Sequence, residues 1–97
     1  MTSQLGSVAN NTGGGMELYR ASKAALNSFT RSFAARHRDK GLSILSLHPG
    51  WVKTDMGGAG ADIDVATSAK GLADRVEQAV GAHQEAYLDY AGVVLPW

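Results

Sequence analysis

Tyr19 and Lys23 stand four residues apart, and side chains at i and i+4 of a helix share one face. A lysine ammonium held beside a phenol favours the phenolate, drawing its ionisation down from the ordinary value of about 10 towards neutrality. Such a phenol can exchange a proton with a substrate as a general acid or base. Tyr-x-x-x-Lys also arises by chance, and the structural alternative is an aromatic body packed beside a solvated lysine. A second stretch suited to ligands is Pro49-Gly50-Trp51-Val52-Lys53-Thr54-Asp55. Pro and Gly turn the chain sharply, Gly50 admits a close ligand, and the Thr54 hydroxyl both donates and accepts. His48 is a weaker candidate base, because a lone histidine at a strand end is more often structural.

The elements that must position these residues follow from periodicity. Residues 2–15 are polar and glycine-rich, without helical or alternating pattern, and read as a loop. Gly13-Gly14-Gly15 belongs to neither a G-x-G-x-x-G nor a G-x-x-x-x-G-K-[ST] motif, so it reads as a flexible turn rather than a phosphate cradle. From Met16 to about His37 the apolar residues Leu18, Ala21, Ala25, Leu26, Phe29 and Phe33 return at helical steps. Arg36, His37, Arg38 and Lys40 gather where cations complement the helix dipole, and Gly41 supplies the stop. The small residues Ala21, Ser22, Ala24, Ala25 and Ser28 let a sheet or a second subunit approach closely. Leu42 to His48 reads as a buried strand ending at the Pro49-Gly50 turn, the edge of an α/β sheet at which ligands collect. Residues 56–64, rich in glycine, describe a mobile loop able to cover a pocket. A second helix is expected from about Val65 to Val80, N-capped by Asp64 and slightly weakened by Gly71, then a strand over Glu85 to Tyr90 and a docked apolar tail.

With 97 residues the chain is at most one small domain, and no repeat or linker divides it. Hydrophobic residues at 44% and charged residues at 19% match folded proteins rather than disordered ones. Nine basic residues balance nine acidic ones, which removes the electrostatic footprint of a nucleic-acid or basic membrane-surface binder. The absence of cysteine excludes disulfides, thiolate metal ligands and a cysteine nucleophile, and no metal site is expected. No apolar run reaches membrane-spanning length, and Met1-Thr2-Ser3-Gln4 lacks signal-peptide character, so the chain reads as cytoplasmic.

Four stretches in this order carry a specific resemblance: Thr2-Ser3-Gln4-Leu5-Gly6-Ser7, Tyr19-Arg20-Ala21-Ser22-Lys23-Ala24-Ala25-Leu26-Asn27, His48-Pro49-Gly50-Trp51-Val52-Lys53-Thr54-Asp55-Met56, and Tyr87-Leu88-Asp89-Tyr90-Ala91-Gly92 with Leu95-Pro96-Trp97. Together they resemble the C-terminal half of a short-chain dehydrogenase/reductase. The Asn10 to Gly15 insert and the terminal Leu95-Pro96-Trp97 are most similar to the branch of C-factor and sniffer-type carbonyl reductases. The expected fold is therefore α/β, the C-terminal half of a Rossmann-like doubly wound parallel sheet, with residues 1–97 as a partial domain.

The resemblance implies an NAD(P)-dependent oxidoreductase acting on a small-molecule carbonyl or secondary alcohol. Tyr19 matches the catalytic acid/base, and Lys23 the residue that binds the nicotinamide ribose and lowers the phenol's pKa. Ser3 matches the serine that polarises the carbonyl, with Ser7, twelve residues before Tyr19, as the alternative. Pro49, Gly50, Val52 and Thr54 match the turn that contacts the nicotinamide carboxamide and neighbouring phosphate. No G-x-G-x-x-G opening and no residue choosing between NAD and NADP is present, so the N-terminal dinucleotide-binding half is expected to be absent and the chain inactive alone. An exposed sheet edge and apolar helix face would then make it marginally stable or aggregation-prone. The competing expectation is a non-catalytic interaction module that self-associates, or pairs with an intact homologue, through the Tyr19 helix.

Overall fold

Small hydroxyl residues give the N-terminal segment more order than its glycine content suggests. In the computed structural model, which describes residues 1–97, Gln4–Gly6 form a short 3-10 turn. Ser3 caps it, its hydroxyl accepting the Leu5 N–H at 3.1 Å, and the Ser7 hydroxyl accepts the Asn10 N–H at 3.1 Å. The segment expected as loop is thus folded over its first third.

Helix α1 spans Glu17–Arg36, within a residue of the expected span at each end. Met16, at a left-handed φ of 56°, starts it, and the Arg20 Nε donates to the Gly15 carbonyl at 2.7 Å. At the other end His37 Nδ1 lies 2.8 Å from the Phe33 carbonyl, so one member of the basic cluster, His37, meets a carbonyl of the last turn. Gly41, at a φ of 67°, closes the 3-10 turn Arg38–Lys40 that follows.

Strand β1, Ile44–His48, pairs in parallel with β2, Glu85–Asp89, in a register running from Ile44 opposite Glu85 to His48 opposite Asp89. Between them lies helix α2, Val65–Ala79, whose N-cap Asp64 accepts the Thr67 N–H at 2.8 Å. Helix α2 covers the face of β1 that carries Leu45 and Leu47; with Val76, Ala79 and Val80 they line an open groove of about 450 Å³. Ser46 and its partner Tyr87 point to the opposite face, towards α1. The Thr2 N–H adds a rung to the free edge of β1 by donating to the Leu47 carbonyl at 2.9 Å.

Beyond β2 the Asp89 carboxylate accepts the N–H groups of Ala91 and Val93, both at 2.9 Å, and turns the chain back. The tail returns antiparallel, with Leu95 N–H donating to the Tyr87 carbonyl at 2.8 Å. Trp97 stacks on Tyr87 with ring centroids 4.9 Å apart, and the Arg31 guanidinium lies 5.0 Å from the Trp97 ring centroid. The tail is docked as expected.

The apolar core is small, consisting of Ala34, Leu47, Ala61, Ala79 and Tyr87. Helix α1 buries Asn27 and Ala34, while its apolar residues Leu18 and Phe29 are 89% and 72% exposed. The helix packs through its more polar side because its neighbour is the small 3-10 turn, and nothing in the chain covers its apolar side. No helix is long and apolar enough to cross a membrane.

Candidate active site

Successive steps of four along α1 place Tyr19, Lys23 and Asn27 on one face. Lys23 Nζ stands 5.8 Å from the Tyr19 ring centroid, over the ring in a cation–π arrangement. Neither the Tyr19 hydroxyl nor the Lys23 ammonium takes part in a hydrogen bond or ion pair with the chain. Both side chains are half-buried, so they are positioned by the helix yet reachable.

The 3-10 turn lies flat on this face. A Cβ at Gly6 would come within 2.9 Å of the Lys23 Cβ and 3.0 Å of Asn27 Nδ2, so only glycine permits the approach. Ser3, three residues earlier, is buried beside it, and its carbonyl accepts a hydrogen bond from the Tyr87 hydroxyl. Ser7 is more deeply enclosed, at 1% exposure.

The Pro49 turn begins where β1 ends, two residues past the Leu47 carbonyl that bonds Thr2. The Thr2–Ser3 segment and the Pro49 turn therefore both lie at the carboxyl end of β1. Gly50 takes a φ of 86°, and a Cβ there would lie 2.7 Å from Ile63 Cδ1. Val52 forms a parallel bridge with Ile63, Lys53 N–H donating to the Ile63 carbonyl at 2.8 Å and Ile63 N–H to the Trp51 carbonyl at 3.2 Å. No hydrogen bond within the chain uses the Val52 N–H. The Thr54 hydroxyl accepts the Gly57 N–H at 3.1 Å. Its 3.5 Å distance to the Val52 carbonyl exceeds the normal O–H···O range, which leaves the hydroxyl proton free to donate. The Trp51 indole N–H donates to the Gly57 carbonyl at 2.9 Å. The glycine-rich segment expected as a free lid is therefore pinned at its base by Gly57 and Ile63.

His48 is buried at the end of β1 with Nδ1 unpaired. Burial holds its imidazole below the ordinary value of 6.5, against the opposing pull of the Asp89 carboxylate. A neutral, enclosed imidazole fits the structural alternative. The Ser68 hydroxyl donates to the Pro49 carbonyl at 2.6 Å and ties α2 to the turn.

Three residues named within the resembling stretches, Thr2, Asn27 and Tyr87, have a place at this site that the sequence did not assign to them. The Thr2 hydroxyl donates to Asn27 Oδ1 at 2.7 Å in the interior, next to the Tyr87–Ser3 bond. The available signal was that Asn27 occupies the step of four after Lys23.

A sequence model described as short chain dehydrogenase matches residues 1–64. The chain belongs to the short-chain dehydrogenase family. Within the family it is 42% identical over all of its 97 residues to the C-signal protein of Myxococcus xanthus, 58% of whose length it covers. Superposed on a solved structure from Burkholderia multivorans with bound NADP it gives a TM-score of 0.95 at 45% identity, covering 100% of this chain and 42% of that one. The carbonyl reductase Sniffer of D. melanogaster gives 0.86 at 42% identity, with 100% of this chain and 39% of that chain covered. The chain thus spans less than two thirds of the length of these relatives. The α/β arrangement and the resemblance to carbonyl reductases read from the sequence are both found.

Proposed function

We propose that residues 1–97 form the nicotinamide side of an NAD(P)-dependent short-chain dehydrogenase domain that reduces carbonyls or oxidises secondary alcohols of small molecules. The observation that carries this reading is the Tyr19–Lys23 face of α1. In a member of this family it presents a phenol and an ammonium free of protein partners beside the turn that holds Ser3. The similar Burkholderia structure binds NADP, and NAD or NADP is the cofactor assigned here.

The residues present fit that group. Lys23 can donate to ribose hydroxyls, the Val52 N–H and the Thr54 hydroxyl proton have no acceptor of their own, and Pro49 with Gly50 shapes the turn that presents them. A bound nicotinamide supplies or accepts hydride. Tyr19 exchanges the proton at the substrate oxygen, and the Ser3 hydroxyl donates to the same oxygen to hold the carbonyl in place. Both serines are buried, and Ser3, at 6% exposure against 1% for Ser7, is the less enclosed and is assigned that role. The dinucleotide's phosphate-binding half lies outside residues 1–97 in this reading, so turnover requires the rest of the domain.

Grafting residues 1–97 in place of the matching part of the Burkholderia protein supplies that remainder. The chimera is expected to oxidise NADPH with carbonyl substrates, and Tyr19→Phe is expected to lower the rate by about 10²–10⁴-fold. Undiminished turnover of the Tyr19→Phe chimera would sink the assignment.

One observation favours the self-association reading as an additional property: the uncovered apolar side of α1, with Leu18, Phe29 and Phe33 in solvent.

A further inference from the structure

We propose that Asn27 is a positioning residue that locks the Ser3 segment onto the Tyr19–Lys23 face of α1 through Thr2. This rests on the reading of Ser3 given above. Asn27 is 3% exposed, and its Oδ1 accepts the Thr2 hydroxyl proton at 2.7 Å, with both groups inside the molecule. Thr2 adjoins Ser3, whose carbonyl receives the Tyr87 hydroxyl. The Ser3 backbone is thereby gripped from two sides, from α1 through Asn27 and from β2 through Tyr87.

Packing alone does not explain an amide at this place. Asn27 Nδ2 is buried without a hydrogen-bond partner, a cost that a leucine of the same branched shape would avoid. It also lies where a Cβ on Gly6 would strike it. One amide thus touches both the Thr2 hydroxyl and the approach of the 3-10 turn. Because Asn27 and Lys23 are one helical turn apart, any shift of Asn27 against Thr2 shifts Lys23 against Gly6 as well.

The test uses the chimera described above, isotopically labelled, and reads cross-relaxation between the Gly6 Hα and Lys23 side-chain protons. Thr2→Val removes the hydroxyl at nearly constant shape, and Thr2→Ser restores it. The expected result is that the Gly6–Lys23 cross-peaks are lost in Thr2→Val and in Asn27→Leu and retained in Thr2→Ser, while the α2 signals stay unshifted. Retention in Thr2→Val, or equal loss in Thr2→Ser, overturns the proposal. Should Asn27→Leu fail to fold, the two Thr2 variants decide. Turnover does not enter this readout. A Ser3→Ala chimera of full activity would therefore remove the catalytic reading of Ser3 and leave the coupling to be judged by the cross-peaks.

Discussion

The Tyr87 hydroxyl donates a hydrogen bond to the Ser3 carbonyl, joining positions 84 residues apart. It reaches from the second strand of the sheet, under α1, to the backbone of the segment proposed to orient the substrate. Removing it in Tyr87→Phe leaves the Ser3 carbonyl with the Gly6 N–H alone as donor, which costs about 0.5–1.5 kcal/mol and is read as a lower urea midpoint. Burial raises the Tyr87 phenol above its ordinary value of 10.0. The unfolded chain therefore ionises first, and stability is intact below pH 10 and falls as pH rises beyond it. Tyr87→Phe should flatten that alkaline limb; an unchanged limb would assign the effect to another group.

His48 sets an acid limb of opposite sense. Its folded pKa lies below the ordinary 6.5 because of burial, so on acidification the unfolded chain takes up the proton first. Stability is full above about pH 6.5 and declines as pH drops through that value towards the folded pKa. Urea midpoints at pH 7 and pH 5 should differ more in the parent chain than in His48→Gln. Equal differences in the two would show that Nδ1 is not the group responsible.

Two glycines separate local preference from tertiary constraint. In Gly71→Ala the helix gains about 1 kcal/mol of intrinsic propensity, but the new Cβ would strike the Tyr90 carbonyl, which is backbone and cannot step aside. Overpacking costs about 1–3 kcal/mol, so a net loss of up to about 2 kcal/mol is expected. Gly6→Ala should cost a similar amount of stability and, in the chimera, lower turnover by parting the 3-10 turn from Lys23. Gly13→Ala, with no atom within 4 Å of its new Cβ, is the control and should melt within a degree or two of the parent. A stabilised Gly71→Ala chain would contradict the close approach of Tyr90.

The bare apolar side of α1 predicts concentration-dependent association. Phe29 is 72% exposed, and Phe29→Glu places a charge at the centre of that side. Sedimentation should show the parent chain above monomer mass at high concentration and Phe29→Glu as monomer. A parent chain that stays monomeric and melts cooperatively would remove both the association and the expectation of marginal stability.

The order of elements was legible because each rests on local physics. Helix α1 follows from recurrence at three and four residues, α2 from its Asp64 cap, and β1 from an apolar run bounded by Gly41 and Pro49. The face shared by Tyr19 and Lys23 follows from helical geometry alone, and the chemistry expected of it from their residue types. Tertiary structure decided which side of α1 is buried. Apolar periodicity pointed to Leu18 and Phe29, whereas the chain buries Asn27 and Ala34. That outcome depends on where the N-terminal turn lands, and the turn lands through one rung to Leu47, one hydroxyl on Asn27 and one phenol on Ser3. Such contacts join residues tens of positions apart and leave no periodic trace. Gly71 shows the same division: its cost to the helix is written in the residue type, and its reason stands across the fold at the Tyr90 carbonyl.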